Sequence, residues 1–283
     1  MTDLTPEEAD RHYNARAAIP EHPQIFERWR ARSEAARGRL RCDPDYYYGP
    51  SPAETLDIFP SEARRAPLLL FLHGGYWRSL DKRDFAFLAP AFVDAGVSVA
   101  IINYGLAPQV TLPDIVRQTL RACAWTWRNC MGFGVDPDRI YAAGHSAGAQ
   151  LAAMMLAAEW PTYARDLPPD LLRGALLVSG IYDLEPLVAA PFLKEDLRLD
   201  TEGARQLSPL RYRPRRTTRF YTAIGERESD EFQRQNRLIA AAWPECFVRD
   251  VPLPGCNHLT AIEQLGTQGS ALFEAALEMM HAA

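Results

Sequence analysis

No stretch of this chain approaches the roughly 20 consecutive apolar residues that a membrane-spanning helix needs, so no such span is expected. The N-terminal residues MTDLTPEEAD lack the basic start and apolar core of a secretory signal peptide. The five cysteines (Cys42, Cys123, Cys130, Cys246 and Cys256) are odd in number, scattered, and never in a Cys-x-x-Cys pair. They imply neither a disulfide framework nor a zinc site, and reduced, mostly buried thiols are expected in a cytosolic protein. An excess of basic residues is also missing. A formal charge of −5 argues against a nucleic-acid or anionic-membrane binder. No Ser/Gly-rich linker, composition break or internal repeat divides the chain. One domain over residues 1–283 is therefore expected, with residues 1–45 as an N-terminal arm. Nothing in the sequence decides between a monomer and a homodimer.

One basic cluster runs against the trend: Arg211, Arg213, Arg215, Arg216 and Arg219. Its plain reading is a solvated loop before a strand. Its sharper reading is a docking site for an acidic substrate.

What the chain does have is a regular alternation. Residues 55–59, 67–72, 97–102, 139–143, 174–179, 219–224 and 246–253 read as strands. Several are short continuous apolar runs such as PLLLFL, which suit strands covered on both faces. Helices are expected over 113–129, 146–158, 232–243 and 261–281, and residues 183–219 form a longer connection suited to a small cap. Before the first strand, Ile25, Phe26, Trp29 and Ala36 recur at helical spacing, and Tyr46-Tyr47-Tyr48-Gly49-Pro50 reads as turn-rich. Strands alternating with helices predict an α/β fold with a mostly parallel central sheet and helices on both faces.

The strongest motif is Gly144-His145-Ser146-Ala147-Gly148, a GxSxG between a strand and a helix. In that setting it describes a nucleophile elbow. Glycines relieve crowding at a sharp turn, and the adjacent helix N-terminus favours developing negative charge on Ser146. A second motif, His73-Gly74-Gly75-Tyr76-Trp77, follows the PLLLFL strand. Amides of the 74–76 loop (Gly74, Gly75, Tyr76), with that of Ala147, are the candidate oxyanion hole. Tyr76 and Trp77 either wall a small acyl pocket or pack in the core. Tyr104 and His145 are further candidates for the substrate pocket, although His145 equally suits a role in packing its own motif.

The general base follows by elimination among six histidines. His12, His22 and His281 lie in terminal segments, and His73 and His145 lie inside the two motifs. His258 stands in a turn-rich loop after the last strand, in the chain order serine, acid, histidine that this elbow uses. The acid is expected in Gly225-Glu226-Arg227-Glu228-Ser229-Asp230-Glu231. Glu228 has the reach from the strand end, Asp230 is the alternative, and Asp183 comes third. No metal and no organic cofactor is required by this chemistry.

HGGYW, GHSAG, SGIYDLEPL, the 225–232 stretch and the Asn257-His258 pair make the chain resemble the arylformamidases (kynurenine formamidases) and their esterase relatives. YNARAAIPEHP and YYYGPSPAETLDIF are similar to bacterial members, so the resemblance covers nearly the whole length. It implies an α/β-hydrolase fold, with Ser146 as nucleophile, His258 as base and Glu228 at the acid position where many relatives have Asp. Gln150 stands where the family often has His. The implied reaction is hydrolysis of a small aromatic N-formyl amide, with a short-chain ester as the alternative substrate. A ligand-binding protein that has lost catalysis is the alternative of another class.

Overall fold

A computed structural model describes residues 4–281. Residues 1–3 of the expected arm, and residues 282–283 at the other end, lie outside the described residues. Eight strands form one sheet: β1 (Asp43–Tyr47), β2 (Thr55–Phe59), β3 (Ala66–Leu72), β4 (Ser98–Ile102), β5 (Val135–His145), β6 (Gly174–Val178), β7 (Arg219–Gly225) and β8 (Phe247–Leu253). Their order is β1-β2-β4-β3-β5-β6-β7-β8. β2 pairs antiparallel with both of its neighbours, β1 and β4, and the pairings from β4–β3 through β7–β8 are all parallel.

The central strands are buried on both faces, as their unbroken apolar runs require. Side chains alternate along a strand, so β3 feeds two cores. Leu68, Leu70 and Leu72 join the core beneath helix Ala147–Leu156. Leu69 and Phe71 join the opposite core with Phe85, Phe92 and Met280.

Two local expectations change. Tyr46 and Tyr47 of the aromatic segment belong to edge strand β1, whose ladder is irregular between Asp43 and Tyr46; Pro44 and the acidic residues hide its strand pattern. The helix expected over 261–281 is broken. It runs Thr260–Glu263, passes a tight turn at Gln264–Gly266, and restarts at Ala271–His281. Gly269 adopts φ 78° there, and the Ser270 hydroxyl accepts from the Phe273 N–H at 3.1 Å to cap the new helix. The 183–219 connection carries the short helices Pro191–Leu197 and Thr201–Gln206. Among the described residues, no helix is long and apolar enough to cross a membrane.

The parallel part of the sheet decides where chemistry can occur. The segments leaving β3, β5, β6, β7 and β8 all emerge at the same edge, the usual crevice for ligands in such sheets. They carry His73-Gly74-Gly75, Ser146, Ser179, Glu228 and His258.

Candidate active site

Ser146 follows directly on β5 with φ 57° and ψ −121°, a conformation costly for a residue with a side chain. The surrounding fold holds it there. Its N–H donates to the Val178 carbonyl at 2.9 Å. A methyl group on Gly144 would fall 2.1 Å from the Gly148 carbonyl oxygen, and one on Gly148 would fall 2.0 Å from that of Leu72. Both glycines are thus needed for helix Ala147–Leu156 to start directly over the sheet, with its positive end behind the serine.

His258 Nε2 lies 3.0 Å from Ser146 Oγ, and Nδ1 lies 2.6 Å from Glu228 Oε2. The other carboxylate oxygen of Glu228 accepts from the Gly225 N–H at 2.8 Å and from the Ser179 hydroxyl at 2.5 Å. A four-residue turn, closed by the Glu228 N–H on the Gly225 carbonyl at 3.1 Å, folds the side chain back to the strand end. Its carboxylate is 0% exposed. Asn257 fixes the histidine's loop by accepting from the Leu259 and Thr260 N–H groups at 3.0 and 2.9 Å. Phe232 packs on the His258 ring at 4.4 Å between centroids. The other acid candidates are elsewhere. Asp230 is exposed at the start of helix Asp230–Ala242. Asp183 accepts from the Glu185 N–H and pairs with Arg234 at 3.6 Å.

His145 is buried beside His258, and its Nε2–H donates to the His258 carbonyl at 2.8 Å. Burial, and secondarily the neighbouring His258, push its pKa well below the ordinary value of 6.5. It is therefore a neutral ring that pins the base's backbone, and it also reaches the wall of the pocket.

The Gly74–Tyr76 loop runs against the serine. A methyl on Gly74 would sit 2.8 Å from the His145 carbonyl oxygen and 3.0 Å from Ser146 Cβ. Gly75 takes φ 105°, and a methyl there would sit 2.2 Å from the Ser79 carbonyl oxygen. Among the described residues the N–H groups of Gly75 and Tyr76 find no acceptor. That of Ala147, first in its helix, has no intrahelical one.

Trp77 and Tyr104 do not line the pocket. Trp77 is wholly buried, with its indole N–H donating to Gln150 Oε1 at 3.1 Å. Tyr104 lies behind the loop, stacked on His73 at 4.3 Å and 8° from parallel, and its hydroxyl donates to the His73 carbonyl at 2.7 Å. Both brace the oxyanion loop from within the core.

The N-terminal arm contributes what sequence reading missed. A cavity of about 30 Å³ beside Ser146 is walled by Phe26, Trp29, Gly75, Tyr76 and Leu80. A cleft of about 200 Å³ continues past His258, between His12, Ala15, Ile19, Glu21, Phe232 and Asn257. Phe26 and Trp29 stood out in the sequence as an apolar stripe, but such a stripe is the same for a core face and a pocket wall. The arm is tied to both functional loops. The Tyr76 hydroxyl donates to the Tyr13 carbonyl. The Tyr13 hydroxyl donates to Glu231 at 2.8 Å, and the Ser229 hydroxyl donates to the His12 carbonyl at 2.6 Å. The 183–219 connection touches the site from behind, through Phe192 edge-on to Tyr76 at 5.3 Å.

The basic cluster precedes β7, with Arg219 as that strand's first residue, at the sheet edge opposite the serine. Arg211, Arg215 and Arg216 pair there with Glu185, Asp170 and Glu245. That fits the plain reading of solvated charge. Among the described residues no group of histidine, cysteine and carboxylate side chains could hold a metal ion.

The strand order and the elbow define an α/β-hydrolase, and the chain is a hydrolase. A family model described as BD-FAE matches residues 56–161. The kynurenine formamidase of Danio rerio is 31% identical over 88% of this chain and 85% of its own length, and that of Salmo salar is 32% identical over the same shares. A candidate thioesterase of Silicibacter sp. TM1040 superposes with a TM-score of 0.85 at 28% identity, covering 94% of this chain and 98% of its own. An esterase of Pyrobaculum calidifontis shares the fold, with a TM-score of 0.71 at 18% identity over 92% of this chain and 93% of its own. The chain belongs to the kynurenine formamidase family.

Proposed function

We propose that this protein removes a formyl group from an aromatic amine, with Ser146 as nucleophile, His258 as general base and acid, and Glu228 as the residue that orients His258. The observation that carries the formyl reading is the disparity of the two spaces that meet at His258. The cavity of about 30 Å³ beside Ser146 is several times smaller than the cleft beyond His258. It suits an acyl carbon bearing only hydrogen, or at most a methyl group. The cleft of about 200 Å³ suits a ring with a side chain.

In this reading His258 Nε2 takes the proton of Ser146 as Oγ attacks the formyl carbonyl. The N–H groups of Gly75, Tyr76 and Ala147 receive the negative oxygen. Each such donor is typically worth about 3 kcal/mol in the transition state. Collapse breaks the C–N bond, and His258 returns the proton to the leaving amine. A water, deprotonated by His258, then cleaves the formyl ester of Ser146 and releases formate.

The test is kcat/KM for formanilides against aryl formate, acetate, butyrate and hexanoate esters. Formanilides should be good substrates, and ester turnover should fall as the acyl chain lengthens. Rates that rise toward hexanoate, with formanilides inert, would establish a carboxylesterase instead. The same panel examines the wall. Phe26→Ala should raise the butyrate-to-acetate ratio about tenfold, because a methylene admitted to or barred from such a pocket is worth about 1–3 kcal/mol. An unchanged ratio would remove Phe26 from the acyl wall.

A further inference from the structure

Among the described residues Ser146 is one of two serines at positive φ. The other is Ser179, at φ 51°, directly after β6. Left-handed backbone is costly for a residue with a side chain and free for glycine. Ser179 is nonetheless a serine, and it is fully buried. Its N–H donates to the Ala223 carbonyl of β7 at 2.8 Å, so its backbone is fixed from within the sheet. A strained residue kept at such a place points to something that glycine lacks, the side chain itself.

Among the described residues the Ser179 hydroxyl has one partner, Glu228 Oε1, to which it donates at 2.5 Å. β6 lies between β5 and β7 in the sheet, so its end reaches both the nucleophile and the acid. The Val178 carbonyl accepts from the Ser146 N–H at 2.9 Å, and the next residue holds Glu228. The acid needs that hold. Its last torsion joins an sp³ to an sp² carbon and is broad. The Gly225 N–H, at 2.8 Å, fixes where Oε1 lies but leaves the carboxylate plane free to turn about that contact. A second donor from another strand end removes this freedom and leaves Oε2 facing His258 Nδ1 at 2.6 Å. A buried carboxylate oxygen also has two lone pairs to satisfy, and the Gly225 N–H fills one of them.

We infer that Ser179 is a positioning residue, whose hydroxyl locks the rotation of the Glu228 carboxylate so that the carboxylate in turn holds the imidazole of His258 toward Ser146. The inference rests on the triad proposed above and adds a fourth member to it. Ser179 makes and breaks no bond to substrate; it acts through Glu228. This role accounts for a serine at φ 51°, where the backbone alone would favour glycine.

The experiment uses the full chain and the variants Ser179→Ala, Ser179→Gly, Glu228→Gln and Ser179→Ala with Glu228→Gln. They are assayed on whichever formanilide or aryl acetate the unsubstituted protein turns over. Ser179→Ala should lower kcat about 10- to 30-fold with KM within about twofold. That is the lower part of the range for a lost hydrogen bond to a charged group, because the Gly225 N–H remains. Ser179→Gly should lower kcat equally, yet unfold about 2–4 °C above Ser179→Ala, being relieved of the left-handed strain. A glycine variant that is more stable and no more active ties the strained position to the chemistry and not to the fold. In Glu228→Gln, the further change Ser179→Ala should cost less than about threefold, because the group through which Ser179 acts is already altered. An equal cost in both backgrounds would overturn the inference. So would a Ser179→Ala variant within about twofold of normal kcat beside a crippled Glu228→Gln, and the triad would then stand without it. A Glu228→Gln variant as active as the unsubstituted protein would remove the acid itself, and the role of Ser179 with it.

Discussion

Ser146→Ala should lower kcat on any cleaved amide or ester by about four to six orders of magnitude, the scale seen when a serine hydrolase loses its nucleophile. The loss is so large because no neighbouring group can substitute. Ser146 Oγ is the hydroxyl that faces His258 Nε2, at 3.0 Å. Without it the imidazole can only activate water, which is held in no comparable position. Residual turnover above background would come from the oxyanion donors and from binding alone. The fold should survive. Alanine meets the same backbone cost at φ 57°, and among the described residues the hydroxyl removed has no partner but the histidine. Near-normal KM and an unchanged unfolding midpoint should accompany the lost kcat. A fluorophosphonate probe should label the unsubstituted protein and not the variant. Activity within tenfold of normal would put the chemistry on another residue. An unlabelled but folded parent protein would favour a binding role on a hydrolase scaffold.

The parts of this site that can be read in the sequence are those fixed by short-range geometry. Gly144 and Gly148 flank Ser146 because any side chain there would strike neighbouring backbone, and that constraint is written in five consecutive letters. His73-Gly74-Gly75 is legible for the same reason. His258 could be reached by chain order, and Glu228 by its distance from the end of β7. Asp230, equally acidic and two residues on, is carried outward as its helix begins. What stayed hidden depends on long-range packing. Trp77 and Tyr104 look like pocket aromatics in sequence, yet Gln150 and His73 draw both into the core. Phe26 and Trp29 look like a core stripe and do pack in that core, but the arm also folds them against the cavity beside Ser146. Their chemical types are the same in both cases. Only the path of a chain segment far from the elbow in sequence decides which pair lines the cavity beside Ser146.

Glu228→Gln is the more discriminating of the two large substitutions, because it preserves shape and changes only which hydrogen bonds are possible. One carboxylate oxygen of Glu228 accepts from the Gly225 N–H and the Ser179 hydroxyl, and the other faces His258 Nδ1. A glutamine must place its carbonyl oxygen toward Gly225, whose N–H can only donate. Its NH2 group then faces Nδ1 and holds the ring with Nδ1 as acceptor and Nε2 protonated. In that tautomer Nε2 cannot take the proton of Ser146. The replacement also removes the negative charge that stabilises the imidazolium formed during attack. The expected loss is about 10³- to 10⁴-fold in kcat, with KM nearly unchanged. Raising the pH should restore part of the rate, as hydroxide comes to assist deprotonation of the serine. Glu228→Asp separates orientation from charge, since it keeps the carboxylate but shortens the reach that the turn from Gly225 now spans. It should retain far more activity than the glutamine variant if the backbone can follow. Asp230→Asn, on an exposed side chain with no tie to His258, should leave kcat within about twofold. The reverse pattern, with Asp230→Asn inactive and Glu228→Gln active, would transfer the orienting role to the neighbouring acid.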